Sequence, residues 1–239
     1  MKDQTTAATL ADFAITQRWP AKNPEILQLY SYPTPNGRKV SIMLEETGLA
    51  YEPHLVTLAD TDVKSDAFLS LNPNNKIPAI IDPNGPDDQA LGLFESGAIL
   101  VYLAEKTGQL IGETAAERYT TLQWLMFQMG GVGPMFGQLG FFYKFAGAEI
   151  EDKRPQERYI NESKRIMAVI EKQLEGRDWI TGSYSIADIA IAPWLKGLEF
   201  YGALNVLGWE DHKNLVAYLD RFYGREAVQR GAVIPEVPA

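Results

Sequence analysis

The stretch ILQLYSYPTPNGRKVSIMLEETG, residues 26–48, decides the fold, because a strand, a turn and a helix follow one another directly in it. Residues 26–30 form a short apolar run, which predicts a strand. Residues 31–37 are rich in Pro, Asn and Gly, which favour turns. The helix that follows is indicated by positions that recur at the spacing of one helix face, namely Val40, Met43, Leu44 and Thr47. Gly48 stands where a helix is expected to end.

Strands and helices keep alternating beyond this stretch. We predict three further strands, at residues 51–58, 77–82 and 91–94. Residues 64–71 form a short helix at best. A longer helix is predicted from Ser96, a residue type that caps helix N-termini, to about residue 108. Strands that alternate with helices argue for an α/β layer.

The pattern becomes helical after residue 110, without further strand signals. Long helices are predicted at 116–138, with a glycine-rich interruption, at 155–174, from Ser185 and from about residue 213. Ser185 and Asp188 form a capping box, which serves folding rather than catalysis. We therefore predict three parts, an N-terminal extension at 1–25, an α/β domain at 26–108 and an all-helical domain at 115–239.

Composition excludes several classes of function. The chain has no cysteine, so it forms no disulfide, offers no thiolate ligand and has no thiol nucleophile of its own. Its two histidines, His54 and His212, lie far apart and do not build a metal site, and we expect no metal. With 22 basic and 31 acidic residues the net charge is −9, which disfavours binding to nucleic acid or to an anionic membrane.

We also expect a cytoplasmic protein. No stretch approaches the roughly 18 apolar residues of a membrane span. Residues 1–22 lack the apolar segment of a signal peptide.

Three short segments carry a resemblance to a known family. They are Thr-Pro-Asn-Gly at 34–37, Asn-Pro-Asn-Asn-Lys-Ile-Pro-Ala at 72–79 and Phe-Glu-Ser-Gly-Ala-Ile at 94–99. With the capping box of the helical half, they resemble the glutathione transferase superfamily over about residues 26–230. The likeness is strongest to the bacterial Nu class and weaker to yeast Ure2-like proteins. It implies the glutathione transferase fold, an α/β thioredoxin-like N-terminal domain followed by an all-α C-terminal helical bundle.

The turn at Thr34 and Asn36 is the expected catalytic site. It ends a strand and opens a helix, and the N–H groups of a helix N-terminus attract anions, including a thiolate. In glutaredoxins a similar turn carries two cysteines, and here Thr34 and Gly37 stand at their positions. The turn can therefore hold a thiolate but not supply one. The resemblance implies that the thiolate belongs to glutathione and that Thr34 and Asn36 stabilise it.

The other two segments are expected to bind the rest of glutathione. The resemblance implies that Pro78 follows a cis peptide bond and that the backbone of Ile77 pairs with the cysteine of glutathione. Lys76 is a candidate for a glutathione carboxylate, although a solvated surface lysine is about as good a reading. Glu95 suits the ammonium of the γ-glutamyl end, and Ser96, at a helix start, suits its carboxylate.

Two further positions qualify this site. The Nu class has an arginine near Arg158 that reaches toward glutathione, so we include Arg158 as a binding residue. The class also has a glutamine near the position of Val63, and that contact is either lost here or taken over by Lys64. Tyr30, Tyr32 and Ser41 are rival catalytic residues, because other classes use tyrosine or serine near this point, and we rank them below Thr34 and Asn36.

The resemblance implies an enzyme whose nucleophile is the thiolate of bound glutathione. A glutathione-dependent thiol-disulfide oxidoreductase is the first hypothesis. Conjugation of glutathione to an electrophile, or reduction of a peroxide, would use the same thiolate. A glutathione-binding protein without catalysis is the third. The implied partners are glutathione or glutathione disulfide, a small disulfide or electrophile, and a second copy of the chain in a homodimer.

Overall fold

A computed structural model of the chain describes residues 8–238, so that residues 1–7 of the predicted extension and Ala239 lie outside the described residues. The chain divides into two compact units. The first contains the described residues up to Leu103 together with those from Arg230 onward. The second contains the residues from Ala104 to Gln229.

The described residues of the first unit form one four-stranded sheet. Its strands are β1 (Leu27–Ser31), β2 (Tyr51–Leu55), β3 (Ala79–Asp82) and β4 (Leu91–Phe94). They lie in the order β2-β1-β3-β4, with β2 parallel to β1 and the other pairs antiparallel. Two parallel strands need a crossover, and the helix between β1 and β2 provides it. This arrangement is the thioredoxin-like layer that the resemblance implies.

The helices that the sequence predicts in this part of the chain are present, and two short helices, at 15–18 and 60–63, are additional to them. Together they are α1 (Ile15–Arg18), α2 (Pro35–Thr47), α3 (Asp60–Val63), α4 (Asp66–Leu71) and α5 (Ser96–Thr107). Gly48 ends α2 in the left-handed conformation, with φ of 69°, which glycine adopts without strain. β2 stops at Leu55, three residues earlier than the apolar pattern indicated.

The N-terminal residues that the structure describes are a packed arm. A short 3-10 helix at Leu10–Asp12 and α1 place Leu10 and Ile15 in a buried cluster with Tyr30 and Phe68. The indole N–H of Trp19 donates to the carbonyl of Leu55 at 3.1 Å. The described part of the predicted extension therefore packs onto the first unit as an arm.

The second unit is helical, and none of its residues, all of which are described, lies in a strand. The helices from Ala115 on are α6 (Ala115–Phe127), α7 (Gly133–Gly140), α8 (Arg154–Gln173), α9 (Ile186–Phe200), α10 (Leu204–Leu207), α11 (Lys213–Tyr223) and α12 (Glu226–Gly231). Two π-helical segments, Gln128–Val132 and Phe141–Phe145, flank α7, the first at the predicted glycine-rich interruption. Among the residues described, no helix has both the length and the apolar character needed to cross a membrane.

The capping box at the start of α9 is present. The carboxylate of Asp188 accepts from the backbone N–H of Ser185 at 2.9 Å and from that of Ile180 at 2.9 Å. Asp188 is fully buried, and burial raises the pKa of its carboxyl to about 6, against the lowering effect of these hydrogen bonds. The carboxylate therefore serves to hold the start of α9 within the core.

Candidate functional site

A single row of paired residues brings the three predicted segments of the first unit together. Tyr30 of β1 pairs with Ala79 of β3, and Ala79 pairs with Phe94 of β4. Neighbouring strands lie about 4.8 Å apart, so the whole row spans about 10 Å. The turn that leads to Thr34 follows β1, Pro78 directly precedes β3, and Glu95 directly follows β4. The pairing register thus explains why segments far apart in the sequence meet at one edge of the sheet.

Thr34 caps the N-terminus of α2. Its hydroxyl oxygen accepts from the backbone N–H of Gly37 at 3.2 Å, and Pro35 occupies the first helical position. The first turn of α2 carries no acidic side chain, and Thr34 and Asn36 are both half-buried. The positive end of the helix dipole is therefore not neutralised by a carboxylate of its own first turn.

Gly37 is fixed by a close approach of the backbone. A Cβ at this position would lie 1.9 Å from the carbonyl oxygen of Tyr32 and 2.6 Å from the hydroxyl of Ser31. The second cysteine of a glutaredoxin-like turn has no room here. The geometry thus agrees with a turn that holds a thiolate from outside the chain.

The loop that carries Lys76, Ile77 and Pro78 is held by a buried asparagine. The side-chain amide of Asn72 donates to the carbonyl of Lys76, and its oxygen accepts from the N–H of Asn74 at 2.9 Å. The Ile77–Pro78 peptide bond is cis, as the resemblance implies. Lys76 is exposed and has no ion-pair partner among the residues described. Asn72 belongs to the quoted motif, but its positioning role became visible only in the structure.

Glu95 and Ser96 stand at the junction of β4 and α5. Glu95 has a φ of 73°, in the left-handed region that costs a residue with a Cβ some strain, and its side chain is exposed. Ser96 is buried, with 4% of its surface accessible. Backbone strain of this kind is often found at binding sites, which agrees with the predicted role of the pair.

A fully buried lysine contacts Ser96, and no local sequence signal indicates it. Lys39 is on α2, has no accessible surface, and its ammonium donates to the hydroxyl of Ser96 at 3.2 Å. Burial lowers the pKa of Lys39 to about 7, while the nearby carboxylate of Glu95 raises it in part. In the sequence, Lys39 stands next to the predicted apolar face of α2 and resembles any surface lysine of an amphipathic helix.

Two of the three rival catalytic residues, Tyr30 and Ser41, have no accessible surface. Tyr30 is fully buried, stacks on His54 with ring centroids 4.7 Å apart, and its pKa is raised by burial. Ser41 is buried and donates to the carbonyl of Gly231 at 2.7 Å, and Tyr32 packs partly buried against the arm's cluster. The phenol of Tyr30 has no accessible surface, so it cannot donate to a thiolate at the surface.

One predicted binding residue lies outside the first unit. Arg158 belongs to the second unit, where it is exposed on α8. It lines a pocket of about 410 Å³ together with Phe142, Asp152, Arg154, Pro155 and Tyr159.

The side chain of Val63 is buried in the arm's cluster, so it cannot replace a polar glutamine contact. Lys64 pairs with Asp60 at 2.9 Å, both side chains being exposed. No group of three or more His, Asp or Glu residues within 8–238 is arranged to hold a metal ion.

Comparison with known families agrees with this geometry. Residues 29–110 match the model of the glutathione S-transferase N-terminal domain, and residues 155–221 match that of the C-terminal domain. The chain is 47% identical over 173 residues to the disulfide-bond oxidoreductase YfcG of Escherichia coli, covering 72% of this chain and 80% of that protein.

Solved structures resemble the fold over nearly its whole length. A glutathione transferase from Burkholderia graminis, with two glutathione molecules bound per subunit, has a TM-score of 0.95 and 61% identity, covering 98% of each chain. One from Pseudomonas putida, with one glutathione disulfide bound per subunit, has a TM-score of 0.94 and 60% identity, covering 95% of this chain and all of that one. The predicted fold class is confirmed.

Proposed function

The chain belongs to the glutathione transferase family, and we propose that it is a Nu-class, glutathione-dependent thiol-disulfide oxidoreductase. The observation that carries the proposal is the N-terminus of α2 at Thr34. This helix end has a hydroxyl side chain and no acidic side chain in its first turn, and the chain has no cysteine of its own. Such a site suits the thiolate of a bound thiol. The likeness to a disulfide-bond oxidoreductase and to a structure that binds glutathione disulfide supports disulfide chemistry over conjugation.

The reaction needs two glutathione thiolates. The first attacks one sulfur of the substrate disulfide, forming a mixed disulfide with glutathione and releasing the other sulfur as a thiolate, which takes a proton from water. A second glutathione thiolate then attacks the glutathione sulfur of the mixed disulfide. Glutathione disulfide forms and the remaining substrate thiol leaves. Two glutathiones are oxidised for each disulfide that is reduced.

In this proposal Thr34 and Asn36 carry the chemical step. The hydroxyl of Thr34 accepts the Gly37 N–H, so its own proton is available to donate to the glutathione sulfur. The amide of Asn36, in the first turn of α2, donates beside it. Both donors and the helix dipole favour the thiolate over the thiol, which lowers the thiol pKa and raises the reactive fraction near neutral pH.

The remaining residues orient the tripeptide. The backbone of Ile77, before Pro78, pairs with the cysteinyl unit. Glu95 binds the ammonium of the γ-glutamyl end and Ser96 its carboxylate. Lys76, an exposed cation, is assigned to a glutathione carboxylate. Arg158, also exposed, is kept as a glutathione-binding residue on the family resemblance.

We further propose that the protein is a cytoplasmic homodimer with the domain limits 26–108 and 115–239. The family resemblance supports the dimer. The composition, with no cysteine for disulfides, supports a reducing compartment such as the cytoplasm. Sedimentation of the purified chain tests the oligomeric state directly.

Turnover of a small mixed disulfide with glutathione, measured beside conjugation of an aromatic halide, tests the function. In the Thr34→Ala/Asn36→Ala variant we expect disulfide reduction to fall by about 100-fold or more, as when donors to a developing anion are removed. A wild-type protein that binds glutathione yet shows neither activity would be a binding protein, and the catalytic assignments would be wrong. Dominant conjugation would favour the transferase alternative.

A further inference from the structure

Burial of the Lys39 side chain costs free energy. An ammonium without accessible surface loses its hydration, and a protein keeps such a group only with a compensating interaction or a use. Position 39 lies on α2 beside the buried Val40 and Ser41, where an apolar side chain would pack without that cost. Its ammonium donates to Ser96, which is 57 positions away in the chain and at the start of another helix.

The hydrogen bond has a direction that matters for Ser96. A charged ammonium has three donors and no acceptor, so the Ser96 oxygen must accept from Lys39. A serine hydroxyl that accepts from an ammonium still has its own proton, which can donate to another acceptor. A hydroxyl whose oxygen accepts from the Lys39 ammonium is polarised by it, and is therefore suited to donate to a carboxylate.

We propose that Lys39 is a positioning residue that acts through Ser96 to bind the α-carboxylate at the γ-glutamyl end of glutathione. The inference rests on the proposed function, since it presupposes glutathione at Glu95 and Ser96. Lys39 contributes its charge behind the hydroxyl, while Glu95 faces the ammonium of the same γ-glutamyl group.

The charge state of Lys39 couples to this ligand. Burial holds the pKa of the free protein's Lys39 near 7, and Glu95 is the charged group that opposes burial. A neutral amine could accept the Ser96 proton and so turn the hydroxyl away from the ligand. A bound carboxylate favours the charged form and raises this pKa, so binding takes up protons. Affinity is then highest below pH 7 and falls as pH rises through that value.

The first experiment compares two ligands in wild type and Lys39→Met. S-methylglutathione has no thiol to ionise, and its analogue with 4-aminobutyrate in place of the γ-glutamyl group lacks only the α-carboxylate. We expect Lys39→Met to weaken S-methylglutathione by about tenfold, as for loss of a charge-assisted hydrogen bond. Binding of the analogue should stay unchanged, as should both affinities in Lys22→Met, an exposed lysine of the same unit.

The ligand selectivity of Lys39→Met separates positioning from a structural role. The variant removes the donor to Ser96, so thermal melting without ligand first checks that it is folded. A lysine that only supports the fold would weaken both ligands alike. Equal losses for the two ligands, or an unchanged affinity for S-methylglutathione in Lys39→Met, would overturn the inference.

A wild-type measurement keeps the test open if Lys39→Met does not fold. Between pH 6 and pH 8.5, the affinity of the wild-type protein for S-methylglutathione should fall relative to that for the analogue. Parallel pH profiles would refute the coupling. Failure of wild type to bind S-methylglutathione at all would refute the proposed function, whereas normal binding and turnover with parallel profiles would refute only the role of Lys39.

Discussion

A hydroxyl side chain caps the start of α9 and also the start of α2, and these two ends are used differently. At the start of α9, Ser185 is joined by the buried Asp188, whose carboxylate accepts two backbone N–H groups. At the start of α2, Thr34 accepts one N–H, the third helical position is Gly37, and the first turn has no acid. The first end is closed by its own carboxylate, and the second is open to an anion from outside.

The difference shows how one local device serves folding or binding. A helix N-terminus stabilises negative charge wherever that charge comes from. An internal carboxylate uses this stabilisation for the fold, as Asp188 does. An open end offers it to a ligand, at the cost of a weaker cap. Changes at the two ends should therefore separate stability from activity.

The largest expected effect comes from Gly37→Ala. The added Cβ would meet the backbone carbonyl of Tyr32 at 1.9 Å, and backbone cannot move aside cheaply. We expect the free energy of unfolding to fall by at least about 3 kcal/mol, because overpacking displaces the start of α2. Activity should be lost as well. Urea denaturation and disulfide turnover measure both.

Gly130→Ala is the matched control for this change. A Cβ at Gly130 meets no described atom within 4 Å, so the free energy of unfolding should change by less than about 1 kcal/mol. A Gly37→Ala variant as stable as Gly130→Ala would show that the turn at Thr34 is not as tightly packed as described.

Asp188→Ala should cost about 3 kcal/mol of stability, because it leaves the buried N–H groups of Ser185 and Ile180 without their acceptor. Activity per folded molecule should be retained. Asp178→Ala, at an exposed acid of the same unit that pairs with Arg221, should cost less than about 1 kcal/mol. The comparison of the two ends would fail if folded Asp188→Ala lost activity as Thr34→Ala/Asn36→Ala does.

Asn36→Asp turns the open end into a partly closed one with little change in shape. A carboxylate in the first turn of α2 should stabilise the helix by about 0.5 kcal/mol. The same charge repels the glutathione thiolate, so its pKa should rise by about one unit and turnover at pH 7 should fall about tenfold. The measurement is the pH dependence of disulfide turnover, which should shift toward higher pH.

Asn205→Asp adds the same charge to an exposed asparagine of the other unit and should leave this profile in place. An Asn36→Asp profile that coincides with wild type would mean that the thiolate does not lie at the N-terminus of α2.

Much of this molecule could be predicted from local sequence. The strand, turn and helix at 26–48, the start of α5 at Ser96 and the capping box of α9 depend on residues within one or two turns of each other. Long elements with strong periodicity were placed well, and their ends less so. On α8, for example, Val169 is apolar but 36% exposed, because the buried face of the helix follows Ile166 and Ile170.

Other features depend on distant residues and gave no local signal. The arm near residue 19 contains the helix breakers Pro20 and Pro24, and only its contacts with Tyr30 and Phe68 make it part of the core. Similarly, Asn72 looks like one more polar turn residue until its side chain is seen to hold the loop before Pro78.

The sequence by itself determined that the chain supplies no thiol, since it has no cysteine and Gly37 stands where a glutaredoxin-like turn has one. It also determined the order of strands and helices and the open cap at Thr34. Only the tertiary structure decided that Lys39 lies buried behind Ser96. A hydrogen bond between residues 57 positions apart depends on which strands pair and how two helices meet, and no local pattern encodes that.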